Sequence, residues 1–94
     1  MGMQTDVKAT HLTADGVISA NPARLKAISY RGNGTDGNVS IKNGGASGTT
    51  LLELDVGTSD SFTIYVLVPG EGIRFDTNIY ADLTNVSAIT AFYG

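Results

Sequence analysis

Turn dipeptides punctuate this chain so often that no helix of useful length fits between them. Asp15-Gly16, Asn33-Gly34, Asp36-Gly37, Asn43-Gly44-Gly45, Ser47-Gly48 and Pro69-Gly70 each tolerate or pre-set the backbone angles of a tight reversal. Between them lie short β-branched runs at 7–12, 24–30, 38–42, 50–56, 61–68, 73–75, 79–83 and 86–93. About eight short strands with turns at roughly ten-residue spacing predict an all-β fold, a compact antiparallel β-sandwich of jelly-roll type. Only 21–26, with Pro22 placed for a first helical position, offers a helical turn, and it reads equally well as a strand entry.

Side-chain alternation locates the core. Phe62, Ile64, Val66 and Val68 share one face of their run, and Thr63, Tyr65 and Leu67 share the other. Neither face is charged, so this strand is expected to be central and covered on both sides. Leu52, Leu54 and Val56 alternate with Leu51, Glu53 and Asp55, a half-buried pattern, and Val86, Ala88, Thr90 and Phe92 oppose Ser87, Ile89, Ala91 and Tyr93. Val68-Pro69-Gly70-Glu71 is expected to form a type II turn joining two strands, with Pro69 and Gly70 at its centre.

A chain of 94 residues holds one domain, with 1–16 as an N-terminal arm and first strand and 17–94 as the sandwich. A domain this small buries only about 60–65% of the surface that its unfolded chain exposes, so association would add stability. Charged residues make up 16%, against roughly 25% in an average soluble protein. The surface is therefore expected to be uncharged and polar, which suits contact with another protein.

Charge and residue types remove several classes of function. Six Lys and Arg against nine Asp and Glu give a net charge of -3 and no basic stripe for phosphates, so nucleic acid is not an expected partner. Arg24 and Lys26 read as an ordinary solvated strand face. There is no cysteine, hence no disulfide framework, thiolate metal site or Cys nucleophile. The start has neither a basic segment nor an apolar core of a signal peptide, and the run 64–68 is far short of the roughly 18 apolar residues of a membrane span. A soluble, unprocessed chain without a membrane partner is the expectation. Three sequons, at Asn33, Asn38 and Asn85, arise readily in so Asn-, Ser- and Thr-rich a sequence.

Motifs of catalysis dissolve on inspection. Gly32-Asn33-Gly34-Thr35-Asp36-Gly37 matches a dinucleotide fingerprint with Asp55 downstream, yet a strand and another glycine-rich turn follow where the phosphate-facing helix must start. A hairpin is the expected structure there. The kinase glycine loop lacks its companion motifs, and Asn38 and Val39 stand where a phosphate-binding loop needs Lys and Ser or Thr. His11 is the single histidine; it has no nucleophile elbow to serve and reads as a strand residue that becomes a pH-sensitive contact only if subunits bury it. Asp15, Asp36, Asp60 and Asp76 sit in or near turns but not at calcium-loop spacing, and nothing marks Glu53 or Glu71 as a glycosidase acid. The expected protein is not an enzyme and has no cofactor or metal. Its candidate site is an oligomer or partner interface at Tyr65, Leu67, Tyr80, Phe92 and Tyr93. Tyr65, Tyr80 and Tyr93 could also line a carbohydrate face, but an apolar ring with a wet hydroxyl suits protein contact at least as well.

Three segments carry a family likeness: 42–55, which includes Asn43-Gly44-Gly45-Ala46-Ser47-Gly48; 68–75, Val68-Pro69-Gly70-Glu71-Gly72-Ile73-Arg74-Phe75; and 83–94, which includes Thr84-Asn85-Val86-Ser87-Ala88-Ile89. In word order the chain, over about residues 23–94, resembles small virion proteins of tailed bacteriophages, especially short-tailed phages of marine bacteria. The resemblance implies a β-sandwich structural protein of the virion, made in the host cytoplasm and located on the capsid surface. Its implied role is that of a decoration or cement protein, a homotrimer bound across subunits of the major capsid protein or to other virion proteins. A tail- or fibre-associated receptor-binding module and a carbohydrate-binding domain are the alternatives.

Overall fold

The computed structural model describes residues 7–58 and 63–94. The first six residues of the expected arm, the core candidate Phe62 and the turn carboxylate Asp60 lie outside the described residues. The described residues form nine strands: β1 (Lys8–Leu12), β2 (Gly16–Ser19), β3 (Ala23–Gly32), β4 (Gly37–Asn43), β5 (Thr49–Val56), β6 (Ile64–Leu67), β7 (Ile73–Phe75), β8 (Ile79–Thr84) and β9 (Val86–Tyr93). The segment 21–26 is strand entry, not helix: β3 begins one residue after Pro22.

All pairings are antiparallel and fall into two sheets. The first has the order β1-β9-β3-β6, with β7 also on β3, and the second has the order β2-β8-β4-β5. Every connection crosses from one sheet to the other except β4 to β5, a hairpin, and β6 to β7. With β6 and β7 counted as one interrupted strand, this is the eight-strand jelly roll. The glycine-rich loop 32–37 is therefore a crossing between sheets, not the hairpin that its turn residues suggest. Its Gly37 has no room for a side chain, because a Cβ there would overlap the Thr84 carbonyl.

The core lies between the sheets. Leu25, Ile28 and Tyr30 of β3 and Ile89 and Ala91 of β9 meet Val39 and Ile41 of β4 and Ile79 and Ala81 of β8, with Ile18, Val56 and Phe75 closing the cluster. Each fully buried Leu or Ile here contributes on the order of 2 kcal/mol. Two bulges tune which residues point inward. Lys26 is an extra residue between Leu25, opposite Tyr93, and Ala27, opposite Phe92. Ser87 is another, between Val86 and Ala88, so that Val86 and Ile89 both reach the core despite their odd spacing. Its hydroxyl is retained by donation to the Gly32 carbonyl at 3.1 Å.

Polar side chains fasten the crossings. Tyr30 reaches across the sandwich and donates its hydroxyl to the Asp55 carbonyl at 3.4 Å. Asn43 and Asn78 clamp two loops reciprocally: Asn43 Oδ1 accepts from the Thr77 N–H at 2.9 Å, and Asn78 Oδ1 accepts from the Gly44 and Gly45 N–H at 2.9 and 3.1 Å. Asp15 Oδ1 accepts from the Leu83 N–H at 2.7 Å.

The run 61–68 departs from its sequence reading. Its strand β6 is an edge, paired only with β3 among the described strands, and not a central strand covered on both sides. Ile64 is 49% exposed, Tyr65 60% and Leu67 68%, while Val66 packs on the core. Alternation sorts residues between faces but is silent on how many neighbours a strand has. The turn after it also differs: its hydrogen bond runs from the Gly72 N–H to the Pro69 carbonyl at 3.3 Å, with positive φ at Gly70 and Gly72. It does not reverse the chain. Leu67 pairs with Ala27 and Ile73 with Leu25, so 68–72 is a looped excursion opposite Lys26, after which the chain resumes along the same edge of β3.

Candidate functional site

Register fixes what the outward face of the first sheet carries, because directly paired residues of antiparallel strands point to the same side. Ala9 pairs with Phe92, Phe92 with Ala27 and Ala27 with Leu67, forming one row across all four strands. The next row is His11, Thr90, Ser29 and Tyr65. The rings of Tyr65 and Phe92 meet edge to face, with centroids 6.4 Å apart. Their bulk, with Leu67, leaves Ala27 only 3% exposed on a face that no other element covers among the described residues.

Three of the five interface candidates, Tyr65, Leu67 and Phe92, thus come together. The other two go elsewhere. Tyr93 follows Phe92 in the alternation and so turns inward against the core, its hydroxyl 3.5 Å from Thr10 Oγ1. Tyr80 lies on the outer face of the second sheet, paired with Val17 and Lys42. The three tyrosines proposed for a carbohydrate face are dispersed over both sheets.

The strands of the two sheets differ in charge. The strands of the first sheet contain Lys8, Arg24, Lys26, Arg31 and Arg74, five of the six Lys and Arg in the chain, and none of its nine Asp and Glu. The strands of the second contain Lys42 against Glu53, Asp55 and Asp82. Lys42 and Asp82 form an ion pair at 3.1 Å on that sheet's outer face, and Ser40 donates to Glu53 at 3.3 Å. A net charge of -3 conceals this segregation, and a basic sheet is what the sequence reading missed. Listing Lys and Arg by strand, rather than summing over the chain, is the signal that reveals it.

Arg24 and Lys26 flank a groove of about 500 Å³ beside the end of β6, lined also by Leu67, Val68, Gly70 and Glu71. Arg24 Nη1 is 3.5 Å from the Gly72 carbonyl. Arg74 pairs with Asp76 at 3.4 Å on the exposed surface. Glu71 is the one described carboxylate lining the groove.

The remaining candidates are structural in their contacts. His11 Nδ1 lies 3.1 Å from the Thr90 hydroxyl, which accepts or donates according to the ring tautomer. Asp15 caps the Leu83 amide, Asp76 pairs with Arg74, and the Asp36 carbonyl accepts from Asn85 at 2.8 Å. No group of three or more His, Asp or Glu side chains converges among the described residues. No family model, curated protein or solved structure matches the chain. The outer face of the first sheet has an apolar centre, Tyr65, Leu67 and Phe92, with cations at its ends.

Proposed function

We propose that the protein is a structural component of a tailed-phage virion, a decoration or cement protein that seats on the capsid through the outer face of the β1-β9-β3-β6 sheet. The observation that carries this reading is the exposed pair Tyr65 and Leu67, with half-buried Phe92 beside them, on a face whose strands hold no carboxylate. An apolar centre with a polar rim is the anatomy of a protein interface. The jelly roll itself, a fold shared by capsid and lectin domains, agrees with the reading by analogy only. The word-order likeness to phage virion proteins supplies the particle.

A stable standard interface buries roughly 800 Å² per partner, more than three side chains can supply by themselves. Many copies on a symmetric shell compensate, since each contact adds to the same assembled state and stabilises it by mass action. Particles lacking the protein should assemble and package DNA yet break at lower temperature or under osmotic shock. Adding purified protein should restore resistance saturably. Deletion particles as stable as wild type but unable to adsorb to cells would place the protein on the tail or a fibre instead.

A further inference from the structure

Asn33-Gly34, Asn43-Gly44, Asp15-Gly16 and Asp36-Gly37 each set a glycine directly after an Asn or Asp. In such a pair the glycine amide nitrogen can attack the side-chain carbonyl carbon before it, because no Cβ stands in the way. The fold treats the four pairs differently. Gly16 and Gly37 open β2 and β4, in register with Ala81 and Val56, and the Asp15 carboxylate is occupied by the Leu83 amide. Asn43-Gly44 sits inside the reciprocal clamp: Asn43 Oδ1 accepts from the Thr77 N–H, and the Gly44 N–H, the nucleophile in question, donates to Asn78 Oδ1 at 2.9 Å. Asn33-Gly34 has no clamp. Residues 33–36 are all exposed in the crossing between the sheets. Among the described residues the Asn33 side chain meets only the Thr35 N–H, which donates to its Oδ1 at 3.1 Å, and no group accepts from the Gly34 N–H.

We propose that Asn33 is a site of spontaneous deamidation, with the Gly34 amide as nucleophile and water as co-reactant. The Gly34 nitrogen gives up its proton to a solvent base and bonds to Asn33 Cγ. The Cγ–Nδ2 bond then breaks, and Nδ2 takes a proton from solvent and leaves as ammonia, so that Asn33 and Gly34 share a cyclic imide. Water opens the ring at either carbonyl: breaking the new bond from Gly34 N to Cγ gives aspartate, and breaking the original main-chain bond gives isoaspartate. Nothing is oxidised or reduced. The Thr35 N–H assists, since it already donates to the oxygen on which negative charge gathers during the attack. The product puts a carboxylate two residues beyond Arg31, at the end of a sheet whose strands otherwise hold none. Isoaspartate also lengthens the main chain by a carbon, between Gly32, whose carbonyl Ser87 holds, and Asp36, whose carbonyl Asn85 holds. The proposal is independent of whether the protein seats on a capsid.

The test incubates the whole protein in warm, mildly alkaline buffer made with heavy-oxygen water. Peptide mass spectrometry then follows each asparagine by the solvent oxygen taken up into a new carboxylate. Asn33 should convert first, to a mixture of aspartate and isoaspartate that an isoaspartyl methyltransferase detects. It should react about tenfold faster than Asn43, the factor that one hydrogen bond of ordinary strength sets on the population of the opened clamp. In strong urea the difference should vanish, because both pairs are then the same dipeptide without a fold. Asn78→Ala frees the Gly44 N–H and should speed conversion at Asn43 about tenfold while leaving Asn33 unchanged. If that variant does not fold, the folded and urea-unfolded rates of the unaltered chain decide the matter. Equal rates at Asn33 and Asn43 in the folded chain, faster reaction at Asn43, a ratio that persists in urea, or no uptake at Asn33 would each overturn the proposal, as would an Asn78→Ala chain that folds and keeps Asn43 inert.

Discussion

Ile28 and Ile64 are the same residue type on neighbouring strands of one sheet, and truncating each to alanine should cost very different amounts. Ile28 is 0% exposed within the core cluster, whereas Ile64, at the end of the β6 edge, is 49% exposed. Either change removes three carbons, at about 0.8 kcal/mol per fully buried methylene. At Ile28 the lost transfer energy of about 2.4 kcal/mol is joined by a cavity that the close-packed sandwich cannot collapse, so the total is about 3 to 4 kcal/mol. At Ile64 half the surface already meets water and no enclosed cavity forms, leaving about 1 kcal/mol. Against a total stability of about 5 to 14 kcal/mol for a chain of this length, the first is a large fraction and the second a small one. Near the midpoint they correspond to losses of about 15 to 20 °C and about 5 °C. Urea titration and calorimetry on both variants measure the difference, with an unchanged m-value showing that the unfolded reference is the same. Ile64→Asp should likewise remain folded, whereas Ile28→Asp should not. Equal losses at the two sites, or an unfolded Ile64→Asp chain, would refute the assignment of β6 as an exposed edge.

Gly37→Ala should destabilise by about 2 kcal/mol in the same titration, because the new Cβ meets the Thr84 carbonyl, main chain that cannot swing aside. Asn78→Ala releases the Gly44 and Gly45 amides and should cost about 1 kcal/mol, with faster hydrogen exchange confined to 43–48. Asp82→Asn removes the ion pair with Lys42, and since the Asp82 side chain is 39% exposed the loss should stay below about 1 kcal/mol and shrink further in high salt.

Most strands were legible because their turn chemistry and β-branched runs agree, and the jelly-roll type follows from their number and spacing. β2 was not, since Gly16-Val17-Ile18-Ser19 is too short for alternation to register and sits between Asp15 and Pro22, both of which read as loop. The strand count consequently ran one short. The edge position of β6 was illegible for a different reason: a strand uncharged on both faces looks central to any one-dimensional reading, and only pairing shows that one side of it is empty. Tyr65, Leu67 and Phe92 were singled out by composition, but the parity that separates Phe92 from Tyr93 across the sheet depends on which neighbour of each faces the core. The grouping of Lys and Arg on one sheet is a product of topology, since β1, β3, β7 and β9 are far apart in sequence.

The placement of β9 bears on how the molecule comes to be. β9 lies between β1 and β3, and its pairing joins Lys8 to Tyr93, so the first sheet cannot zip up until its last-made strand arrives. Until then β1 and β3 wait with open edges, and most of the loop-closure entropy is still to be surmounted. Folding should accordingly take milliseconds to seconds, as in other sandwiches rich in distant pairings, rather than microseconds. During that interval the uncharged β6 is the segment most exposed to the wrong neighbour, so fast dilution and low concentration should favour refolding over aggregation.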